Sequence, residues 1–264
     1  MILILLPAFN EEKSLPQLIN KLEVTLASIK ENYRIIICND GSTDKTQEIL
    51  EKYSKTIPLE IIQHKVNRGL GETIRDLFER AATISSEDDI IIRFDCDDTH
   101  EPKYISLLIN KIRSGYDVVT ASRFEKGGGQ HGVNIYRSFI SKCANLFMSI
   151  FFPITGIKDY SCGYRAYNPK IIKKAISFYA NDFIQLKGLG FTCTLEKLVK
   201  LKIIGARFGE IPFELRYDQK VSDSKMVSSI TTLGYIVMTI LYHWPFGGWK
   251  NLYKKRLKKF DARY

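Results

Sequence analysis

Short apolar runs at residues 2–6, 34–38, 59–62, 90–95 and 117–121 alternate with stretches of helical length, and this alternation limits the chain more than any other feature. Between the first two runs, Leu15, Leu18, Ile19, Leu22, Leu26 and Ile29 fall on one helical stripe. The following gaps read as helices through about Tyr53, through about Thr83 and over residues 103–113. Strand and helix in regular succession argue for a mostly parallel α/β sheet with helices on both faces.

In open sheets of this kind, ligands bind beyond the carboxyl ends of the strands. Polar clusters lie at those ends: Pro7-Ala8-Phe9-Asn10-Glu11, Asn39-Asp40-Gly41-Ser42, Asn67-Arg68-Gly69-Leu70-Gly71 and Asp95-Cys96-Asp97. Residues two apart in an extended segment project to one side, so Asp95 and Asp97 can present oxygens to one point. Two carboxylates are too few for an all-protein calcium cage but suit Mg²⁺ or Mn²⁺ that also takes oxygens from a diphosphate. Together the clusters describe a pocket for a base, a ribose and a diphosphate with its metal. Taken singly, each also reads as a solvated turn that caps a helix.

With 264 residues, 45% apolar and 26% charged, the chain suits one large α/β domain, or one domain plus an appendage, and not a disordered segment. Met1-Ile2-Leu3-Ile4-Leu5-Leu6 has no basic region before it and ends at Pro7, so it reads as a core strand and not as a signal peptide. Cys38, Cys96, Cys143, Cys162 and Cys193 show neither zinc nor disulfide spacing, which fits a reducing compartment. The net charge of +10 concerns partners. Nucleic acid, anionic lipid and a phosphorylated substrate all satisfy it. A nucleic-acid-binding module is the least economical of these, because an acidic strand exit repels phosphate unless a metal intervenes.

The succession Leu-Leu-Pro-Ala-Phe-Asn-Glu-Glu, Asn-Asp-Gly-Ser-Thr-Asp, Asn-Arg-Gly-Leu-Gly and Asp-Cys-Asp resembles family 2 glycosyltransferases of the Rossmann-like GT-A fold. The likeness continues through Ala121-Ser122-Arg123-Phe124-Glu125-Lys126-Gly127-Gly128-Gly129, Asp159-Tyr160-Ser161-Cys162-Gly163-Tyr164-Arg165 and Glu210-Ile211-Pro212-Phe213. This set is similar to the polyprenyl-phosphate branch typified by dolichol-phosphate mannose synthase. The resemblance implies a GT-A domain over 1–225, with a nucleotide-sugar half (1–122) and an acceptor half (123–225), and an appendage over 226–264. It implies an inverting, metal-dependent transfer of a hexose from a UDP- or GDP-sugar to a polyprenyl phosphate. It places Pro7, Ala8, Asn10, Glu11, Asp40, Arg68 and Asp95 against the nucleotide, with Asp95 and Asp97 holding Mg²⁺ or Mn²⁺. Thr99 stands where the branch often has a metal-coordinating Gln, and His100 stays outside the metal set.

By the same resemblance the segment with Asp159 faces the reacting sugar, and Glu196 lies near the place of an acceptor-deprotonating Asp. A phosphate monoester, with a second pKa of about 6, is already ionised at neutral pH and needs positive charge more than a base. Arg123, Lys126, Arg216, Lys220 and Lys225 can supply it. The alternative acceptor is a sugar hydroxyl of a growing glycan, with Glu196 as the base. Leu146–Ile154 is apolar for a surface segment, and Met226–Trp249 carries no formal charge. Aromatic residues Tyr242, Trp244, Phe246 and Trp249, followed by Lys250, Lys254, Lys255, Arg256, Lys258 and Lys259, describe C-terminal amphipathic helices at an anionic membrane surface. That favours a peripheral protein on the cytoplasmic, inner face of the membrane over one that spans it.

Overall fold

The computed structural model describes residues 1–221, 228–244 and 247–262. Expectations that rest on Lys225, Met226 and Phe246 lie outside those residues. In chain order the elements are β1 (Ile2–Ala8), α1 (Leu15–Ile29), β2 (Tyr33–Asn39), α2 (Thr46–Tyr53), β3 (Leu59–Gln63), α3 (Leu70–Ile84), β4 (Ile90–Arg93), α4 (Ile105–Arg113) and β5 (Val118–Ser122). The second half adds β6 (Gly129–His131), α5 (Ile135–Phe151), β7 (Arg165–Tyr167), α6 (Pro169–Tyr179), α7 (Thr192–Ile203), β8 (Phe208–Pro212), β9 (Glu214–Arg216), α8 (Ser228–His243) and α9 (Lys254–Asp261).

The main sheet has the order β3-β2-β1-β4-β7-β5-β8. All its pairings are parallel except those of β7, which runs antiparallel between β4 and β5. The mostly parallel sheet read from the apolar runs is thus the sheet observed. Chain order reverses at β1, whose neighbours are β2 on one side and β4 on the other, so the β1 and β4 exits border the crevice where such sheets bind ligands.

Because successive strand residues face opposite ways, a strand covered on both faces must be apolar throughout. In β1, Ile2, Ile4, Leu6 and Ala8 join the cluster formed with α1 and α4, and Leu3 and Leu5 join the one formed with α3, α6 and α7. Leu15, Leu18, Ile19, Leu22 and Leu26 are the buried face of α1, matching the sequence stripe except for Ile29, which is partly buried.

Two boundaries differ from the sequence reading. β4 ends at Arg93, two residues before Asp95, and Asp98 adopts a left-handed φ of 59°. The acidic pair therefore sits in a turn that is not an extended strand. The C-terminal region is built into the fold: Met238 and Tyr242 of α8, and Trp249 after it, belong to the same apolar cluster as α3, α6 and α7. Among the described residues no helix is long and apolar enough to cross a membrane.

Candidate active site

A pocket of about 530 Å³ opens at the carboxyl ends of β1, β2 and β4. Its acidic side is formed by Glu11, Asp40, Asp95 and Asp97, and its basic side by Arg123, Arg137, Lys187 and Lys220. Among the described residues four carboxylates face four cations, and a divalent ion together with a diphosphate would leave that balance almost unchanged. The arrangement suits a metal-bound anion better than a free cation or a free anion.

The acidic side is positioned by loops tied to one another. Asn10, at φ 52°, stitches the β1 exit to the β2–α2 turn: its backbone N–H donates to Ser42 Oγ at 2.9 Å, and its Oδ1 accepts from the Thr43 N–H at 2.8 Å. Asp40, 3% exposed, accepts from the Arg68 and Gly69 N–H groups at 2.9 Å each, and Nδ1 of His64 lies 2.6 Å from its Oδ1. It holds the glycine-rich loop as a wall of the pocket. Gly41, at φ 69°, lies so near that loop that a Cβ would come within 2.5 Å of the Val66 carbonyl carbon.

Asp95 and Asp97 both line the pocket, as the sequence reading required. Asp95 Oδ1 accepts from Arg93 Nη2 at 2.6 Å. Arg93 is fully buried, its Nε and Nη1 find no hydrogen-bond partner among the described residues, and a Cβ at Gly163 would lie 1.8 Å from Nη1. Only glycine at 163 leaves room for this guanidinium beneath the pocket floor. Asp97 Oδ1 accepts from the Thr99 hydroxyl at 2.6 Å, and Oδ2 is paired with the Lys220 ammonium. Burial would raise the Asp97 carboxyl, but Lys220 and His100 beside it hold it below the usual range. His100 is buried and its basicity depressed by that burial; its Nδ1 accepts from the Asp95 N–H at 3.2 Å, which leaves it a structural support of the turn. Thr99, which departs from the coordinating Gln of the branch, supports Asp97 through its hydroxyl.

On the basic side Arg123 forms a two-pronged pair with Asp159, Nε to Oδ2 at 2.7 Å and Nη2 to Oδ1 at 2.8 Å. Burial pushes the Asp159 carboxyl up, yet Arg123 and backbone donors more than offset this and keep it ionised. Asp159 is itself fully buried and does not line the pocket; Arg123 and Ser161 do. The resemblance set Asp159 against the sugar, and its observed part is to hold Arg123.

Four further expectations are corrected. Glu196 is fully buried, 2.7 Å from Lys200, and accepts from the Gln185 and Leu186 N–H groups and the Tyr242 hydroxyl. It does not line the pocket, so it cannot remove an acceptor proton. The Arg68 side chain turns away to Asp76 and Glu72 on α3, and only its backbone shapes the site. Arg216, expected to supply positive charge to the phosphates, pairs with Asp218 at 2.7 Å and does not line the pocket, whereas Lys220 does. Asn10, as noted, braces the loop and does not line the pocket. Arg93, Arg137 and Lys187 were not singled out from the sequence. For Arg93 the signal was present, since an arginine inside an isoleucine run is either at an edge or paired beneath a site.

Residues 3–176 match the domain described as glycosyl transferase family 2, and the chain belongs to that family. It is 29% identical over 211 residues to a dolichol-phosphate mannosyltransferase of Pyrococcus furiosus, an alignment covering 80% of this chain and 55% of the relative. Against an undecaprenyl-phosphate 4-deoxy-4-formamido-L-arabinose transferase of Pseudomonas aeruginosa it is 27% identical over 201 residues, covering 74% of this chain and 56% of the relative. The chain thus spans about half the length of the curated relatives it matches. Among solved structures, glucosyl-3-phosphoglycerate synthase of Mycobacterium tuberculosis, in complex with Mn²⁺, UDP and phosphoglyceric acid, superposes with a TM-score of 0.60 at 15% identity, covering 91% of this chain and 77% of that one. Another structure of that synthase holds Mg²⁺ and UDP. At such identity the likeness establishes the GT-A-like fold alone.

Proposed function

We propose that this protein transfers a hexose from a UDP- or GDP-sugar to a polyprenyl phosphate at the cytoplasmic face of a membrane. The carrying observation is one pocket in which the acids of β1, β2 and β4 face Arg123, Arg137, Lys187 and Lys220. The donor set fits a hard divalent ion, because Asp95 and Asp97 offer carboxylate oxygens and Asp97 already attracts a cation, Lys220. When bound there, Mg²⁺ or Mn²⁺ supplies charge neutralisation for a leaving nucleoside diphosphate.

An ionised phosphate oxygen of the acceptor attacks the anomeric carbon; the new carbon–oxygen bond forms as the bond to the diphosphate breaks and its electron pair leaves with the diphosphate. Arg123 and Arg137 bind the incoming phosphate, and the Asp159 pair fixes Arg123 so that little reorganisation accompanies the step. No base is required, which agrees with the burial of Glu196 and disfavours a sugar hydroxyl as acceptor. Purified protein with Mn²⁺ and UDP- or GDP-hexoses should release nucleoside diphosphate only when a polyprenyl phosphate is present. Release that needs a glycan and ignores the lipid phosphate would overturn this acceptor assignment.

The membrane part rests on two helices that start at the pocket and end together. Arg137 of α5 and Ile230 of α8 line the pocket, and at the other end His243 Nε2 lies 3.0 Å from the Phe151 carbonyl oxygen. Along α5, Ile135, Phe139, Cys143, Leu146 and Ile150 form a stripe at helical spacing that faces solvent, with Ile135 88% and Phe139 64% exposed. Along α8, Leu233, Ile236 and Ile240 do the same, and Trp244, just after the helix, is 76% exposed. An apolar face continuous with the mouth of a phosphate pocket fits a lipid monolayer from which a lipid phosphate rises, and the basic α9 adds attraction to anionic headgroups. Replacing Phe139 and Ile236 together by glutamate should weaken binding to phosphatidylglycerol vesicles at least tenfold in co-sedimentation, with an unchanged thermal midpoint. Undiminished sedimentation would remove the membrane from the proposal.

A further inference from the structure

We infer that Lys220 and the divalent ion are alternative partners of Asp97, and that the lysine is released to a phosphate when the ion binds. The inference rests on the metal-dependent transferase reading above and adds to it a named residue with two positions.

Asp97 has its two oxygens differently engaged. Oδ1 takes the Thr99 hydroxyl at 2.6 Å and faces the Thr99 N–H at 3.3 Å, both donors of its own turn. Oδ2 takes Lys220, which comes from a segment 123 positions away in the chain. Thr99 cannot leave without remaking the turn, whereas Lys220 is a long side chain that follows β9 on a surface strap, residues 214–220. A cation approaching Asp97 therefore finds the Oδ2 side held by an ammonium, and a divalent charge next to that ammonium is repelled until the lysine withdraws. Asp95 offers no easier entry, since Arg93 holds its Oδ1 from within the core and has no room to leave.

The strap is anchored so that the lysine can withdraw without being lost. Arg216 N–H donates to the Thr99 carbonyl at 3.1 Å, Lys21 Nζ donates to Gln219 Oε1 at 3.0 Å, and Arg137 donates to the Tyr217 hydroxyl at 2.7 Å. Lys220 lines the same pocket as Arg137 and Arg123. A short swing of its flexible stem carries the ammonium from the carboxylate to an anion in that pocket, either the departing diphosphate or the acceptor phosphate. Lysine suits this exchange because its charge is a compact point, with no planar fork to realign. In the unloaded protein the ammonium also keeps the acidic corner neutralised.

Mn²⁺ binding measured by electron paramagnetic resonance, without nucleotide, tests the exchange directly. Lys220→Met should bind Mn²⁺ about tenfold more tightly than the unaltered protein, because the competing ammonium is gone. With UDP added the order should reverse, the variant holding the Mn²⁺ and UDP pair about tenfold more weakly for want of a phosphate ligand. Equal Mn²⁺ affinity of the two proteins would overturn the exchange and leave the metal reading standing. Binding of Mn²⁺ to neither, even with UDP present, would overturn both. Should the variant fold poorly, side-chain NMR of the reductively ¹³C-methylated unaltered protein decides: the Lys220 dimethylammonium resonance should move when Mg²⁺ and UDP are added, and an unmoved Lys220 resonance overturns the proposal.

Discussion

Asp97→Asn should lower nucleoside diphosphate release by about two to three orders of magnitude while the thermal midpoint stays within about 2 °C of the unaltered protein. The amide keeps the shape of the carboxylate, and its oxygen can still accept the Thr99 hydroxyl. What disappears is the charge that attracts Lys220 and, in the proposed mechanism, the divalent ion that screens the leaving diphosphate. Asp97 lies in a turn at the edge of the pocket and outside the apolar clusters, so its loss leaves the core unchanged. Steady-state turnover at saturating Mn²⁺ and donor is the measurement. Turnover within threefold of the unaltered protein would mean that the acidic corner does not work through a metal.

The second large effect is on stability. Glu196→Leu should destabilise the protein by about 3–5 kcal/mol, because it leaves the buried Lys200 ammonium without its anion and strips acceptors from the Gln185 and Leu186 N–H groups. For a chain of this size that lowers the thermal midpoint by roughly 6–10 °C. Burial depresses the basicity of Lys200 despite the attraction of Glu196, so the orphaned lysine can relieve part of the penalty by shedding its proton. The double variant Glu196→Leu, Lys200→Met should recover much of the loss, since an apolar pair of similar volume has no charge to desolvate. Scanning calorimetry distinguishes the cases. If Glu196 acted as a base, Glu196→Gln would lose turnover with little change in midpoint, the opposite of the pattern expected from its position.

That residue also shows where the sequence misleads. Glu196 and Lys200 stand four apart on a helix, the usual arrangement of an exposed surface pair. In α7 every residue from Thr192 to Leu201 is buried, because α8 covers the side that would otherwise meet water. Helical spacing cannot reveal a cover supplied by a segment some forty positions later. The parallel sheet was legible for the opposite reason: strands buried on both faces must be continuously apolar, and this is a local property of the sequence. The acidic corner was legible through its place at a strand exit, although the turn that orients it, with Asp98 at positive φ, was not. Asp159 and Arg123 both stand out in the sequence, but their union is a contact between segments 36 positions apart, and the resemblance sets Asp159 against the sugar with no sign of that contact. The apolar surface was seen in part: the run from Leu146 was noticed, whereas Ile135 and Phe139 are diluted by polar neighbours in the chain and emerge only when wound into a helix.

Arg93 gives the two acids unequal standing. Asp95 keeps its guanidinium throughout, because Gly163 and the sheet enclose it, whereas the counter-charge on Asp97 belongs to a side chain on the surface strap. An incoming ion therefore meets about one uncancelled negative charge and not two. On the proposed mechanism, so weak a seat would favour ions that arrive already chelated by a nucleotide and would let them depart with the spent nucleotide, a berth more than a trap.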